Sequence, residues 1–365
     1  MFAGKMGKFI VQTVLILYGL GALWSYASVF ASSMASLFYS YVLGDATCDA
    51  YAAAPSAGCV YAFDGFMLVF AVIVISMVLL DISEQASIQR FLSVYRVVAL
   101  SLMLLTMVIK LAVDGGAVLE QRYTNVGAFN WANFGKGFGP TLLALNCQYN
   151  MPDALQPLDP KGAARKVAFG ALLVAGSFYT LVGLLGALAF DEINPLASLM
   201  WGSYTGCGNG WGTCASTNPW GVLVQLVILI FPVVNVTSTY PMVGVTVGDN
   251  MLMSMPKTLK AMLSPAAARS ACRLLAAGPP LVLALVFKKL DTIFAISGLF
   301  GFLLGLSIPC WFQVVGSRYC QRVWGFSGAS ITPFTQPYVS SIPFASTYLV
   351  ITFGILGVAI ATLNG

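Results

Sequence analysis

Histidine is absent from this chain, and charge is scarce: Asp, Glu, Lys and Arg together make up 8% of 365 residues. A soluble domain carries roughly 25% charge, so a water-facing globule is excluded. Clustered histidines hold the metals of membrane metalloenzymes and desaturases, so the lack of histidine argues against those classes. The scattered carboxylates offer no nucleophile–base or metal constellation, and no catalytic residues and no metal site are expected. The net charge of +5 is spread along the chain without a basic run, so nucleic acid is not implied as a partner. No A-x-A site follows the first apolar stretch at the right distance, so no cleavable signal peptide is expected. Short-period repeats and low-complexity tracts are also missing.

What is present is apolar sequence. Hydrophobic residues make up 58% of the chain, and the mean hydropathy is +0.85. About 20 apolar residues cross a bilayer core of about 30 Å. The sequence predicts an all-α polytopic membrane protein with nine spans, near Phe9–Leu37, Tyr61–Leu80, Phe91–Val113, Phe138–Leu158, Val167–Phe190, Trp220–Met251, Ala271–Phe287, Thr292–Val315 and Pro343–Leu363. The seventh is short and carries Gly278-Pro279-Pro280.

Connections between the spans set the expected orientation. With the N-terminus in the cytosol, only Lys110, Arg122, Lys136, Lys288 and Lys289 of the 18 Lys and Arg residues fall on the opposite side. Cytosolic loops carry the excess of Lys and Arg, so the N-terminus is expected inside and the C-terminus outside. Two cysteine pairs then fall within non-cytosolic loops, Cys48 with Cys59 and Cys207 with Cys214, and read as disulfides. Lys110 and Asp114, spaced i,i+4 at a span end, read as an interfacial ion pair. Arg96, just inside the third span, reads as a snorkelling side chain. Gly298, Gly301 and Gly305 read as a tight helix contact.

Two stretches break the apolar pattern. In Phe138–Pro157 an apolar segment gives way to Asn146, Cys147, Gln148, Tyr149 and Asn150, closed by Pro152. The second runs from Asn235 through Thr237, Ser238 and Thr239 to Pro241. Backbone that leaves helical geometry inside a bilayer must be buried in protein or line a water-filled cavity, and transporters use such breaks to bind their substrates and ions. Asn146, Gln148 and Asn150 bring both donors and acceptors, suited to a zwitterion. Thr237, Ser238 and Thr239 bring hydroxyls, and Pro241 frees the carbonyl four residues back; together these are oxygen ligands for a hard monovalent cation. The competing structural roles are helix–helix glue for the amides and back-bonding to their own helix for the hydroxyls.

The segment Phe134-Gly…Leu145-Asn-Cys147-Gln148-Tyr-Asn-Met-Pro152…Leu155-Gln-Pro157 resembles the sixth helix of the amino acid/auxin permease family. Phe231-Pro…Asn235-Val-Thr-Ser-Thr-Tyr-Pro241…Asp249-Asn250 is similar to its eighth helix, and Asp291 to Pro309 to its tenth. The resemblance implies an inverted-repeat transporter fold of five plus five helices with one helix added. It implies a single transmembrane domain over 1–365: spans 9–37, 61–80 and 91–113 from the first repeat, 138–315 as the second repeat, and 343–363 as the extra helix. The family's first two helices, with their unwound G-x-G-x-L-x-x-P-like break, have no counterpart here, so the resemblance implies an N-terminally truncated fold. By position, Asn146, Cys147, Gln148 and Asn150 would face substrate, and Thr237, Ser238 and Thr239 a cation. The implied activity is secondary active transport of a small neutral amino acid or similar zwitterion with Na⁺ or H⁺. The implied setting is the plasma membrane or a vacuolar or lysosomal-type membrane. The rivals are a non-transporting sensor or assembly partner on the same scaffold, or a sequence that is an incomplete gene product of a transporter. No bound cofactor is expected, and the sequence sets no oligomeric state.

Overall fold

The structure is a computed structural model that describes residues 4–43, 48–51, 55–80, 86–125, 134–146, 158–191, 196–216, 218–287, 290–326 and 338–362, with residues 151, 155, 194 and 336 between them. Among the described residues the regular structure is helical. The helices are α1 (Gly4–Phe38), α2 (Ala57–Leu79), α3 (Ala86–Asn125), α4 (Phe134–Leu145), α5 (Ala164–Ala189), α6 (Pro219–Ser254), α7 (Lys257–Met262), α8 (Pro265–Val286), α9 (Leu290–Phe302), α10 (Ile308–Trp324) and α11 (Ile342–Ala361). A π-helical turn, Leu303–Ser307, joins α9 to α10 into one long rod. Among the described residues, eight helical stretches are long and apolar enough to cross a membrane, which makes the chain a polytopic membrane protein. The remaining expected span, Phe138–Leu158, is seen as the 12-residue α4, which ends at Leu145. Most of its second half lies outside the described residues.

The helix starts follow from local chemistry. Ser56, Ser264 and Ser341 each accept a hydrogen bond from the backbone N–H three residues on, capping α2, α8 and α11. Proline stands in the first turn of α6, α8 and α11, where it has no N–H to waste. In α3, Gly115 has φ of +79° and breaks the helix past Asp114, a conformation that a side chain would strain. The Gly-Pro-Pro at 278–280 does not interrupt α8.

The core is a block of α1, α2, α6 and α8. Cys59, Phe63, Met67, Phe70, Val74 and Val78 recur on one face of α2 at the helical period and are all buried. They meet Leu23, Ala27, Phe30 and Ala31 of α1, Val236, Tyr240, Val243 and Val247 of α6, and Ala276, Ala277 and Leu281 of α8. Phe30 stacks on Phe70 at 4.3 Å, and Tyr240 meets the Phe70 ring edge-on at 5.2 Å. The Tyr240 hydroxyl donates to the Ala277 carbonyl at 2.6 Å. Arg273 is buried in this block as well. It forms an ion pair with Asp249 at 3.5 Å and donates toward the Val78 and Leu80 carbonyls at the end of α2, at 3.4 and 3.5 Å. The charge count had placed Arg273 among the loop charges; the structure makes it a fastener between α2, α6 and α8.

Two smaller groups flank the block. α4 crosses α9 where Gly139 and Gly298 meet backbone to backbone, so the glycine spacing does mark a tight contact. α3 pairs with α5 and α6. α5 has one buried residue, Ala189.

At one end of the bundle a compact loop closes over α3. Cys207 pairs with Cys214, and Cys48 pairs with Cys59, as the loop positions implied. Asn209 donates to Asp114 at 2.9 Å, Asp114 pairs with Lys110 at 2.9 Å, and the Lys110 ammonium lies 5.7 Å from the Trp211 ring centre. The indole of Trp201 donates to Thr106 at 3.0 Å.

Candidate functional site

The break expected at Asn146 is present. Its N–H still reaches the Leu142 carbonyl at 3.0 Å, closing the last turn of α4. Asn146 itself is no longer helical. Its side chain crosses to α9, where Nδ2 donates to the Gly301 carbonyl at 3.1 Å. The approach is possible because Gly301 has no side chain: a Cβ there would lie 2.9 Å from the Tyr18 ring and 3.1 Å from Asn146 Nδ2. Two residues beyond Gly301 the rod enters its π-helical turn, a feature that recurs at functional sites because it loosens the backbone ladder. A broken helix therefore faces a bulged one, with Tyr18 of α1 buried beside both. Asn146 Oδ1 is buried and has no hydrogen-bond partner among the described residues, so an acceptor is left facing inward. Such a group is costly until a donor meets it. Cys147, Gln148 and Asn150, the other expected substrate contacts, lie outside the described residues.

The second stretch differs from expectation. α6 runs unbroken from Pro219 to Ser254, with Pro232 and Pro241 inside it. The hydroxyls of this stretch bond within their own helix. Thr237 donates to the Val233 carbonyl at 2.7 Å, Ser238 donates to Asn235 at 2.9 Å, and Thr239 donates to the same Asn235 carbonyl. These hydroxyls occupy backbone acceptors around the proline and the helix continues. The competing structural role named for the hydroxyls is thus realised. Their lone pairs still offer acceptors.

One of those acceptors is taken by a charge. Arg96 of α3 does not snorkel to the surface; its Nη2 donates to Ser238 Oγ. Ser238 is 1% exposed and lies 19 residues past the start of α6 and 16 before its end, close to mid-height. Arg96 Nε is buried with no hydrogen-bond partner. Tyr26 of α1 and Tyr179 of α5 lie within electrostatic reach of the guanidinium. The sequence alone reads this residue as snorkelling because its partner is 142 positions away. The available signal was the charge itself, since an ionisable residue inside an apolar span is functional by default.

The Asn146 and Ser238 groups both border α1, one at Tyr18 and the other toward Tyr26. Eight helical residues separate these tyrosines, roughly 12 Å along the axis. Transporters built from membrane helices bind their solutes at broken helices inside the bundle. Residues 2–217, more than half of the chain, match the family described as Amino acid permease, and the chain belongs to that family. It is a transporter family, not one of enzymes. Among curated proteins, the chain is 28% identical to a Transmembrane protein 104 homolog of Caenorhabditis elegans over 196 residues, 52% of this chain and 35% of that protein. It is 23% identical to the Drosophila melanogaster homolog over 309 residues, 82% of this chain and 55% of that protein. The chain thus spans about a third to a half of the length of these relatives.

Proposed function

We propose that the protein carries a small neutral amino acid or similar zwitterion across a membrane by secondary active transport. The observation that carries this reading is the buried, partnerless Asn146 Oδ1 at the end of α4, opposite Gly301 and the π-helical turn. An ammonium group is the donor it lacks. Gln148, Asn150 and Cys147 follow on the same broken stretch and would complete the contact. The five-plus-five repeat places α4 at the start of the second repeat and α11 as the added helix. The N-terminus faces the cytosol and the C-terminus the far side, in a plasma membrane or a vacuolar or lysosomal-type membrane.

Of the two coupling ions, Arg96 weighs against sodium at Thr237–Thr239. A sodium ion on Ser238 Oγ would sit about 5 Å from the guanidinium, a repulsion of about 3 kcal/mol at an effective dielectric near 20. Proton coupling carries no such penalty. The test is uptake of radiolabelled alanine into proteoliposomes, with sodium or potassium outside and a proton gradient imposed or collapsed. Saturable uptake is expected in either salt, lost when the gradient collapses, and reduced tenfold or more in Asn146→Ala and Gln148→Ala. Normal uptake by both variants would sink the site assignment. Strict sodium dependence would return the ion to Thr237–Thr239.

A further inference from the structure

We propose that Arg96 is a carboxylate-binding site at the junction of α1, α3, α5 and α6. The inference deepens the transport reading, on which it rests for the ligand being a transported solute, and makes Arg96 a second station along α1 rather than the far end of the Asn146 contact, since roughly 12 Å along the axis exceeds the span of one α-amino acid. Arg96 lies in the apolar span Phe91–Gly115, and its guanidinium reaches the mid-height of α6 at Ser238. Among the described residues no carboxylate lies within ion-pair distance of it; the ion pairs there join Lys110 to Asp114 and Arg273 to Asp249. Its hydrogen-bond partner is a neutral hydroxyl, and its Nε is buried with nothing to donate to. A cation held in a bilayer without an anion is costly, and a ligand that supplies the anion relieves the cost.

The chemistry of the ligand follows from the groups present. A guanidinium presents parallel N–H donors that match the two oxygens of a carboxylate. Tyr26 and Tyr179, within electrostatic reach, add phenol hydroxyls able to donate to an anion. One fixed positive charge balances one negative charge. A phosphate group, with nearly two, would leave an excess. A monocarboxylate, free or as part of a zwitterion, is the class that fits.

The protein is reconstituted in phosphatidylcholine nanodiscs, whose headgroups carry no carboxylate, and its thermal unfolding is followed at constant ionic strength. Propionate and alanine are expected to raise the unfolding temperature saturably, and propionamide to leave it unchanged. In Arg96→Gln the apparent dissociation constant for propionate should rise at least tenfold. In Arg96→Lys, which keeps the charge and loses the fork, it should rise several-fold, and this variant serves if the glutamine variant does not fold. Equal responses to propionate and propionamide, no response to either, or a wild-type response in both variants would overturn the proposal. Stabilisation by phosphatidylserine discs without a response to propionate would also overturn it, by assigning the site to a lipid headgroup. Carboxylate binding without alanine uptake would count against the transport reading alone; uptake without a carboxylate response would count against this one.

Discussion

Arg273 and Arg96 are both cations turned into the helix block, and their surroundings are opposites. Arg273 has a carboxylate, two backbone carbonyls and a close helix crossing around it: a Cβ added at Gly248 of α6 would lie 2.8 Å from the Arg273 Cα. Its charge is answered by Asp249 and by the carbonyl end of α2, which attracts cations. Arg96 has one serine hydroxyl and, among the described residues, no carboxylate within ion-pair distance. A buried charge whose interactions are supplied by the protein holds helices together. One whose partner is missing is a cost the fold bears for another purpose. The same contrast separates the hydroxyls of Thr237 and Thr239, which donate to carbonyls of their own helix, from Asn146 Oδ1, which has no donor.

The contrast sets an order for substitutions, read as changes in unfolding temperature and free energy of the reconstituted protein. Gly298→Leu drives a side chain into the Gly139 backbone; a loss of about 3 kcal/mol or more is expected, visible as loss of a monodisperse peak in size exclusion. Cys48→Ser opens a cross-link over 11 residues and should cost about 2–3 kcal/mol, with no further effect of reductant on that loop. Arg273→Gln removes charge-assisted contacts to Asp249 and the α2 carbonyls. Because Asp249 is 46% exposed, the expected cost is about 2 kcal/mol rather than that of a fully buried pair. Tyr240→Phe deletes one buried hydrogen bond to Ala277 and should cost about 1 kcal/mol.

Much of the fold was legible because bilayer spans announce themselves by length and hydropathy. The cystines were legible from their sharing of loops, and Lys110–Asp114 from i,i+4 spacing. The break after Leu145 was legible because five polar or amphipathic residues in a row cannot continue a lipid-facing helix. The supposed break at Pro241 was not one. A proline costs a helix one hydrogen bond and a ring clash, and α6 tolerates both: it runs on through Pro241, while its hydroxyls bond to the Val233 and Asn235 carbonyls and not to that of Thr237, which the proline frees. Arg96 and Arg273 were misread for a different reason. A charge count sees a residue's position along the chain, and what decides between snorkelling, fastening and waiting for a ligand is the helix opposite. For Arg96 that helix lies 142 residues later, and for Arg273 the partners include α2, 193–195 residues earlier. The amides at Gln148 and Asn150, outside the described residues, keep their roles as proposals.

The most direct test pairs the two arginines. Arg96→Gln and Arg273→Gln are reconstituted side by side, without carboxylate, and their thermal unfolding is compared with the wild type. Arg273→Gln should unfold several degrees lower, as expected for a loss of about 2 kcal/mol. Arg96→Gln should unfold at the wild-type temperature or above it, because removing an uncompensated charge relieves a cost. A fall for Arg96→Gln equal to or larger than that for Arg273→Gln would contradict the contrast and make Arg96 a structural residue.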